Sequence, residues 1–280
     1  MTAFPPASSG GTVDWDPKQE AMRLWGADPC GGAVGVSEGT PEFFRAVDRE
    51  RYVSYAPWLA AAAGFSSFSG RRLLEIGCGM GTDLASFARG GAAVYAVELT
   101  PRHLAIARQR LLTERHRVRL VRSDGESLPF PDESFDVVYS FGVLHHTPGT
   151  RTAIDEIRRV LRPGGVAIVA LYHRDSVFYW FYTIFLRGLV KGGLLRVGYR
   201  RLVADIEQHD HTDALPLVKV YSRGQMRRLF RRFHSVRTEV HHLEPGHFSY
   251  LAPVIRRLPA SWLRSAAGRL GWYVFAKATK

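Results

Sequence analysis

The sequence contains little of what a secreted or membrane-spanning chain needs. Its two cysteines, Cys30 and Cys78, are far apart and lack a zinc-type spacing, so neither a disulfide framework nor a thiolate metal site is expected. The first residues carry neither the basic start nor the apolar core of a secretory signal. The longest apolar run, VFYWFYTIFL at 177–186, is much shorter than the roughly 20 residues of a membrane span. These absences predict a cytoplasmic protein.

Negative charge is also scarce relative to positive charge. The chain has 38 lysines and arginines against 26 acidic residues, a net charge of +12. Such an excess is compatible with a nucleic acid or an anionic membrane as partner. The arginines are scattered rather than gathered in one arm, which favours a well-solvated surface. We therefore expect no nucleic-acid partner.

Strand and helix patterns alternate from about residue 70 onward. Five strands are predicted by the runs RRLLEIG, AAVYAVEL, VRLVRSD, FDVVYSF and VAIVALY. Between them lie helix patterns, of which TRTAIDEIRRVLRPGG is expected to stop at Pro163-Gly164-Gly165. This alternation predicts an α/β fold with a parallel sheet, and SVRTEVHH and GWYVFAKA supply a sixth and a seventh strand.

The same patterns divide the chain into units. Residues 1–13 are rich in proline, serine and glycine and are expected to form a disordered tail. Residues 14–66 are expected to form a helical segment that covers the active site. The main domain is expected at 67–280, with a cap insertion at 172–221 and a smaller insertion at 243–270.

Three glycines follow the first predicted strand in LLEIGCGMGTDL: Gly77, Gly79 and Gly81. Glycine at a strand-to-helix turn lets the backbone approach a ligand closely. Glu98 ends the second strand, 21 positions after Gly77, where a carboxylate can accept hydrogen bonds from both ribose hydroxyls. Asp124, after the third strand, is placed to accept from an adenine amine. These acids predict a nucleoside-binding edge of the sheet.

Two nucleoside cofactors are compatible with this edge. A dinucleotide prefers Gly-x-Gly-x-x-Gly, because its pyrophosphate sits on the helix N-terminus, but Thr82 stands where the third glycine belongs. Glu75, just before the turn, suits a cationic ligand better than a pyrophosphate. The spacing therefore favours S-adenosylmethionine, whose ammonium and sulfonium groups are both positive.

Together these motifs resemble those of class I S-adenosylmethionine-dependent methyltransferases, in particular the small-molecule branch with the ubiquinone/menaquinone-type enzymes. The resemblance is carried by ExGxGxG at 75–81, Glu98, SDGESLPFPDESFDVVYS at 123–140, GVLHHTP at 142–148 and RRVLRPGGVAIV at 158–169. It implies a Rossmann-like, seven-stranded, mostly parallel sheet with helices on both faces. The antiparallel last strand would lie between the fifth and the sixth.

The resemblance also implies roles for particular residues. Gly77 and Gly79 would pass under the methionyl part of the cofactor, Glu98 would hold the ribose and Asp124 the adenine amine. Glu75 would either orient the ammonium or serve as a purely structural acid. The full set of implied cofactor-binding residues is Glu75, Gly77, Gly79, Glu98, Leu99, Asp124, Gly125, Glu126 and Phe141.

A methyl transfer from sulfonium is an in-line displacement, in which an enzyme aligns the acceptor and excludes water. A hydroxyl or amine acceptor can need a base as well, and histidine is the usual one. His145 and His146 follow the fourth strand and are the candidate catalytic residues. The structural alternative for either is a ring bonded to neighbouring backbone.

The aromatic insertion after residue 172 carries the information on the acceptor. Its aromatic stripe either packs as a cap on the core or forms a lid over a small, hydrophobic acceptor of secondary-metabolite, quinone or terpenoid type. With Arg187, Lys191 and Arg196 it could also contact a membrane surface. The candidate pocket residues are Tyr52, Trp58, Tyr172, His173 and His211.

The sequence favours this interpretation over metal binding and two other functions. HDHTD at 209–213 has metal-ligand residue types but no further ligand at a defined spacing, so no metal site is expected. A nucleic-acid methyltransferase would carry Asn/Asp-Pro-Pro-aromatic after the fourth strand, where this chain reads SFGV. An NAD-binding or non-catalytic Rossmann-like protein is the remaining alternative, which S-adenosylmethionine and NAD binding would separate.

Overall fold

The structure of the chain is a computed structural model that describes residues 15–32, 34–207 and 213–280. The predicted disordered tail and the candidate pocket residue His211 lie outside the described residues. Within them, three helices precede a sheet that follows the predicted alternation of strand and helix.

Seven strands form one sheet, and most of their bounds match the strand patterns in the sequence closely. They are β1 (Arg72–Ile76), β2 (Ala93–Glu98), β3 (Arg119–Arg122), β4 (Phe135–Phe141), β5 (Leu161–Tyr172), β6 (Ser235–His241) and β7 (Tyr273–Thr279). Their spatial order across the described part of the chain is β3-β2-β1-β4-β5-β7-β6.

The strand directions confirm the predicted fold class. Strands β1 to β5 pair in parallel, whereas β7 runs antiparallel between β5 and β6, with Tyr172 opposite Tyr273. The strand order reverses between β1 and β4. In open α/β sheets, the crevice at the carboxyl ends of such a pair of strands is where ligands bind.

Helices cover both faces of this sheet. They are α1 (Pro17–Ala27), α2 (Pro41–Arg49), α3 (Leu59–Ala63), α4 (Thr82–Arg89), α5 (Pro101–Thr113), α6 (Thr150–Val160), α7 (Gly193–Arg196), α8 (Gly198–Ala204), α9 (Arg223–Leu229), α10 (Ala252–Ile255) and α11 (Ala260–Leu270). A π-helical turn at Glu50–Tyr55 extends α2, a π-helix spans Phe178–Val190 and a 3-10 helix spans Pro245–Leu251.

Alternate residues of the central strands face opposite layers of the core. Leu73 and Tyr139 pack with Phe87 of α4, whereas Leu74 and Val138 pack with Ile157 of α6. All six side chains are buried. This period of two is what a sheet covered on both faces requires.

Helix α6 ends earlier than the sequence predicts. It stops at Val160, and Leu161 is already extended and pairs with Phe135 of β4. Pro163 disfavours helical torsions at Arg162, and strand pairing therefore takes over two residues before the proline. The Pro-Gly-Gly segment lies inside β5 rather than at the helix end.

Two helical segments depart from the alternation. One, between β5 and α9, contains the π-helix, α7 and α8, and the other, between β6 and β7, contains the 3-10 helix, α10 and α11. The π-helix and the 3-10 helix pack against each other. Of the helices in the described residues, none combines the length and the apolar character needed to cross a membrane.

Candidate active site

A cavity of about 590 Å³ lies at the carboxyl ends of β1, β2 and β4. Its floor is the loop after β1, and α1, the segment after α2 and both insertions complete its walls. The sequence-predicted residues that line it are Glu75, Gly77, Gly79, Glu98, Leu99, Asp124, Gly125, Phe141, His146 and Tyr172. The strand order thus brings together acids that are far apart in the chain.

The glycine turn after β1 needs glycine at two positions for different reasons. Gly77 has a φ of 73°, and a Cβ there would lie 2.6 Å from Val143 Cγ1. Gly79 has a φ of 52°, and a Cβ there would meet nothing within 4 Å, because it would point into open space. Gly77 is therefore fixed by packing, and Gly79 leaves room for a ligand against the backbone.

Glu98 is held in its ionised form at the end of β2. Its carboxylate accepts from the backbone N–H of Gly79 at 3.0 Å and of Thr100 at 2.9 Å, and His103 Nδ1 lies 3.8 Å away. Burial by itself would raise the pKa of Glu98, but His103 and the backbone donors outweigh it, so the pKa is lowered. A carboxylate can accept about four hydrogen bonds, so two positions stay open for hydroxyl donors.

Glu75 is buried at the end of β1 and one of its oxygens lacks a partner. Oε2 makes no hydrogen bond to any described residue. Burial, reinforced by Asp83 and Glu98 and opposed by Arg51, raises the pKa of Glu75 well above its usual range. An unpaired buried carboxylate oxygen is costly, and a cationic ligand in the cavity would remove that cost.

A buried network beneath the loop explains where Tyr52 lies. Arg51 donates to both oxygens of Asp83, at 3.2 and 2.6 Å, and Tyr139 Oη donates to Asp83 at 2.8 Å. Burial opposes ionisation of Asp83, but Arg51 outweighs it and lowers the pKa. Tyr52 Oη lies 2.9 Å from Asp83 Oδ1 and 3.0 Å from the carbonyl of Thr82. Tyr52 thus supports the loop from behind and does not line the cavity.

Asp124 has a partner that the sequence did not indicate. Its side chain accepts from Lys18 of α1 and from the backbone N–H of Glu126. The carboxylate of Glu126 accepts from Thr147 and from the backbone of Gly149, and Glu126 is not part of the cavity lining. The N-terminal helix thereby reaches the predicted adenine end.

Aromatic and apolar side chains form the opposite end of the cavity. Phe141 lies 4.6 Å from Tyr273 between ring centres, and the guanidinium of Arg51 lies 4.3 Å from the centre of the Phe141 ring. Tyr172 stacks on Trp272 at 4.2 Å. The larger set of lining residues at this end is Trp25, Tyr55, Phe141, Tyr172, Phe178, Ile206, Trp272 and Tyr273.

Three polar residues meet at this aromatic end. Tyr172 Oη donates to Glu207 Oε1 at 2.5 Å, and His146 Nε2 lies 4.0 Å from the same oxygen. Burial raises the pKa of Glu207 to about 7 and lowers the pKa of His146 to about 4. No motif marked Glu207, because it belongs to the cap insertion and only the fold brings it to the strand ends.

The other predicted residues lie outside the cavity lining. His145 is fully buried behind His146 and Tyr172, at ring distances of 3.9 and 3.8 Å. His173 is buried, and its Nδ1 lies 3.0 Å from the carbonyl of Gly271. Trp58 stacks on His241 at 4.8 Å. His173 and Trp58 therefore lie outside the lining of this cavity, although the sequence predicted pocket positions for both.

The central segment of the chain is similar to known proteins. Residues 74–169 match a family model described as a methyltransferase domain. Demethylmenaquinone methyltransferase of Clavibacter sepedonicus is 38% identical over 120 residues, which are 42% of this chain and 48% of that protein. Phthiotriol/phenolphthiotriol dimycocerosates methyltransferase of Mycobacterium leprae is 38% identical over 118 residues, 41% of this chain and 43% of that protein. The chain thus spans about half the length of these relatives.

A solved structure resembles nearly the whole chain. The [4+2]-cyclase SpnF superposes with a TM-score of 0.59, covering 95% of this chain and 97% of the cyclase, at 19% sequence identity. At this identity the likeness concerns the fold alone. The superposition covers much more of the chain than residues 74–169.

Proposed function

We propose that this chain, whose residues 74–169 match a methyltransferase domain, is a class I methyltransferase that binds S-adenosylmethionine and methylates a small apolar metabolite. The observation that carries the proposal is the acid-rich lining of the cavity. Seven carboxylic acids line it, whereas Lys18 and Arg51 are its lysine and arginine side chains. An acidic cavity attracts a cationic ligand and disfavours a pyrophosphate or a nucleic acid, despite the net charge of +12.

Particular residues fit particular parts of that cofactor. The unpaired Oε2 of Glu75 suits the ammonium, the ionised Glu98 suits the ribose hydroxyls, and the open face of Gly79 admits the chain between them. Asp124 would share its carboxylate between Lys18 and the adenine amine. When bound, S-adenosylmethionine supplies a methyl group on a positively charged sulfur. The residues of this chain would bind and orient the two reactants and exclude water.

The acceptor is proposed to be small and largely apolar. The end of the cavity beyond the glycine turn is walled by aromatic rings, including Phe141, Tyr172, Phe178 and Trp272. Such walls favour an apolar ligand with a few polar groups. The names of the two relatives refer to a demethylmenaquinone and to dimycocerosates of phthiotriol, and they support this class.

Calorimetry with a matched pair of glycine variants tests cofactor binding. We expect the wild-type chain to bind S-adenosylmethionine and not NAD, and Gly79→Ala to weaken that binding at least about tenfold, because its methyl group would occupy the cofactor space. Gly164→Ala is the control. Gly164 also has a positive φ, of 75°, with open space around a Cβ, but it lies outside the cavity lining.

The results of these measurements test three parts of the proposal separately: the role of Gly79, the identity of the cofactor and the catalytic activity. Equal loss in both variants would assign the effect to backbone strain rather than to the site. Binding of NAD in place of S-adenosylmethionine would contradict the proposal. If the methyl donor binds but product mass spectrometry finds no methylated phenol, quinol or polyketide in a broad screen, the catalytic part of the proposal fails.

We further propose that the two insertions rest on an anionic membrane surface, from which an apolar acceptor could enter. Both insertions expose large apolar side chains, and Lys191 Nζ of one lies 5.9 Å from the ring of Tyr250 of the other. Leu195 is 95% exposed and Tyr250 is 75% exposed. Lys191 and Arg196 supply positive charge. The exposed large apolar side chains of the two insertions are Trp180, Phe185, Leu189, Val190, Leu195, Val197, Tyr199, Tyr250, Leu251, Val254, Trp262 and Leu270.

Vesicle co-sedimentation tests the membrane contact. We expect binding to vesicles of phosphatidylglycerol and phosphatidylcholine, and about tenfold weaker binding for Leu195→Asp, since burying one leucine is worth about 1.5–3 kcal/mol. Leu112→Asp on α5 is the control, because it makes the same change at a position that is 62% exposed. Equal vesicle binding by Leu195→Asp and Leu112→Asp would contradict the proposed membrane contact. A dimer in solution that Leu195→Asp dissociates would instead assign the surface to a second copy of the chain.

A further inference from the structure

We propose that His145, His146 and Glu207 form a binding site for a divalent transition-metal cation at the acceptor end of the cavity. One ligand atom from each of the three residues lies within 4.8 Å of the ligand atoms of the other two. Two imidazoles and one carboxylate are a donor set that first-row transition metals accept. The inference rests on the proposed function only for what the cation would do there.

The ring of His146 is oriented as a metal ligand. Its Nδ1 lies 2.8 Å from the backbone carbonyl of Leu217. A carbonyl only accepts, so Nδ1 carries the hydrogen and Nε2 keeps its lone pair. A backbone carbonyl on one ring nitrogen is the usual outer partner of a metal-bound histidine, because it fixes both tautomer and ring direction.

The lone pair of His146 faces another electron-rich atom. Nε2 lies 4.0 Å from Glu207 Oε1, too far for a direct hydrogen bond. Tyr172 donates to that carboxylate oxygen and so fixes its direction, as outer partners of ligating carboxylates do. A cation between the two atoms satisfies both, after they close by a fraction of an ångström each.

His145 supplies an independent observation that points to a ligand. It is fully buried, and neither of its ring nitrogens has a hydrogen-bond partner among the described residues. Buried polar atoms are nearly always paired, and leaving one unpaired is costly. Coordination of a metal by one nitrogen removes part of that cost.

A second cluster in the same cavity serves as a contrast. His242, Glu244 and His247 also lie within 4.8 Å of one another. His247 Nδ1, however, accepts from the backbone N–H of Glu244 at 3.4 Å, so the hydrogen of the neutral ring is on Nε2. The remaining nitrogen has no lone pair for a metal, and this cluster is expected to stay metal-free.

The site would link the cap insertion to the domain and present the ion to the cavity. Glu207 comes from the insertion, His146 from the loop after β4, and both line the cavity. Three protein ligands leave coordination positions open, as in catalytic metal sites. An oxygen atom of the acceptor could take one of them. Lys219, whose Nζ donates to the carbonyl of Pro148, is a nearby positive charge that opposes the ion and limits its affinity.

Titration of the chelator-treated full chain with zinc, followed by calorimetry, tests the site. We expect one zinc ion per chain, with affinity reduced at least tenfold in Glu207→Gln and in His146→Gln. His247→Gln, a matched change in the second cluster, is expected to leave the affinity unchanged. Cobalt titration followed by visible absorption gives a second reading, in which the same two variants should alter the spectrum.

Two results would overturn the site. One is absence of zinc and cobalt binding in the wild-type chain, and the other is an affinity that Glu207→Gln and His146→Gln leave unchanged. Thermal melting and S-adenosylmethionine calorimetry on each variant show whether it is folded. The metal titration needs no methyl donor, so the two proposals can fail separately. If the chain binds S-adenosylmethionine but no metal, only the metal site is refuted. If it binds metal but no S-adenosylmethionine, only the proposed function is refuted.

Discussion

Glu98→Ala is expected to weaken S-adenosylmethionine binding at least about 100-fold. The ionised carboxylate orients Gly79 and Thr100 through their backbone N–H groups and has open positions for two hydroxyl donors. Hydrogen bonds to a charged group are worth about 1.5–3 kcal/mol each. Two of them account for the stated loss, since each 1.4 kcal/mol is a factor of ten. The truncation would also release the glycine turn from the end of β2.

Calorimetry on three variants checks this expectation. Glu98→Gln keeps the side-chain size but loses the charge, so it should bind with an affinity between that of the wild type and that of Glu98→Ala. Glu42→Ala, at an exposed glutamate paired with Arg45 on α2, should bind like the wild type. Unchanged affinity in Glu98→Ala would remove the ribose role from Glu98 and, with it, the main reason for reading the site as a nucleoside site.

The fold and the cofactor end could be predicted because their signals are local. Strands β1 and β2 are largely apolar runs, and Glu75 and Glu98 stand at or next to their carboxyl ends. Parallel strands carry their carboxyl ends to one edge, so the acids at these ends must meet. Glu98 and the glycine turn accordingly lie in one cavity.

The acceptor end depends on contacts between segments far apart in the chain, and no local pattern encodes them. Glu207 reaches His146 from the cap insertion. At the adenine end, Lys18 likewise reaches Asp124 across more than a hundred residues. Trp58 and His173 were expected in the pocket, yet the ring of Trp58 stacks on His241 and that of His173 lies against the carbonyl of Gly271. Residue type predicts chemistry, whereas only the fold determines which side chains share a cavity.

The insertions show the same limit in another form. The aromatic stripe of the cap predicted either a packed helix or a lid, and the side chains of the π-helix differ in their surroundings. Tyr179 and Leu186 are buried in the protein, while Phe178 lines the cavity and Trp180 is exposed. When a helix is apolar on every side, its sequence does not indicate which face is buried. The segments that pack around the helix determine the burial of each residue instead.

Gly77→Ala is expected to destabilise the chain by about 2–5 kcal/mol. An alanine at a φ of 73° costs about 1–2 kcal/mol in backbone strain. Its methyl group would also lie 2.6 Å from Val143 Cγ1, and forcing such an overlap in a packed site costs typically about 1–3 kcal/mol more. The turn cannot move away easily, because the N–H of Gly77 donates to the carbonyl of Val97 at 2.8 Å.

Urea unfolding of Gly142→Ala separates the two contributions. Gly142 has a φ of 74°, nearly that of Gly77, but a Cβ there would meet nothing within 4 Å. Gly142→Ala should therefore lower the free energy of unfolding only by the cost of backbone strain, about 1–2 kcal/mol. Val143→Ala added to Gly77→Ala should recover part of the loss by removing the overlapping methyl groups. Equal stability of Gly77→Ala and Gly142→Ala would mean that the loop yields to the clash, and the glycine at 77 would then be required for its torsion alone.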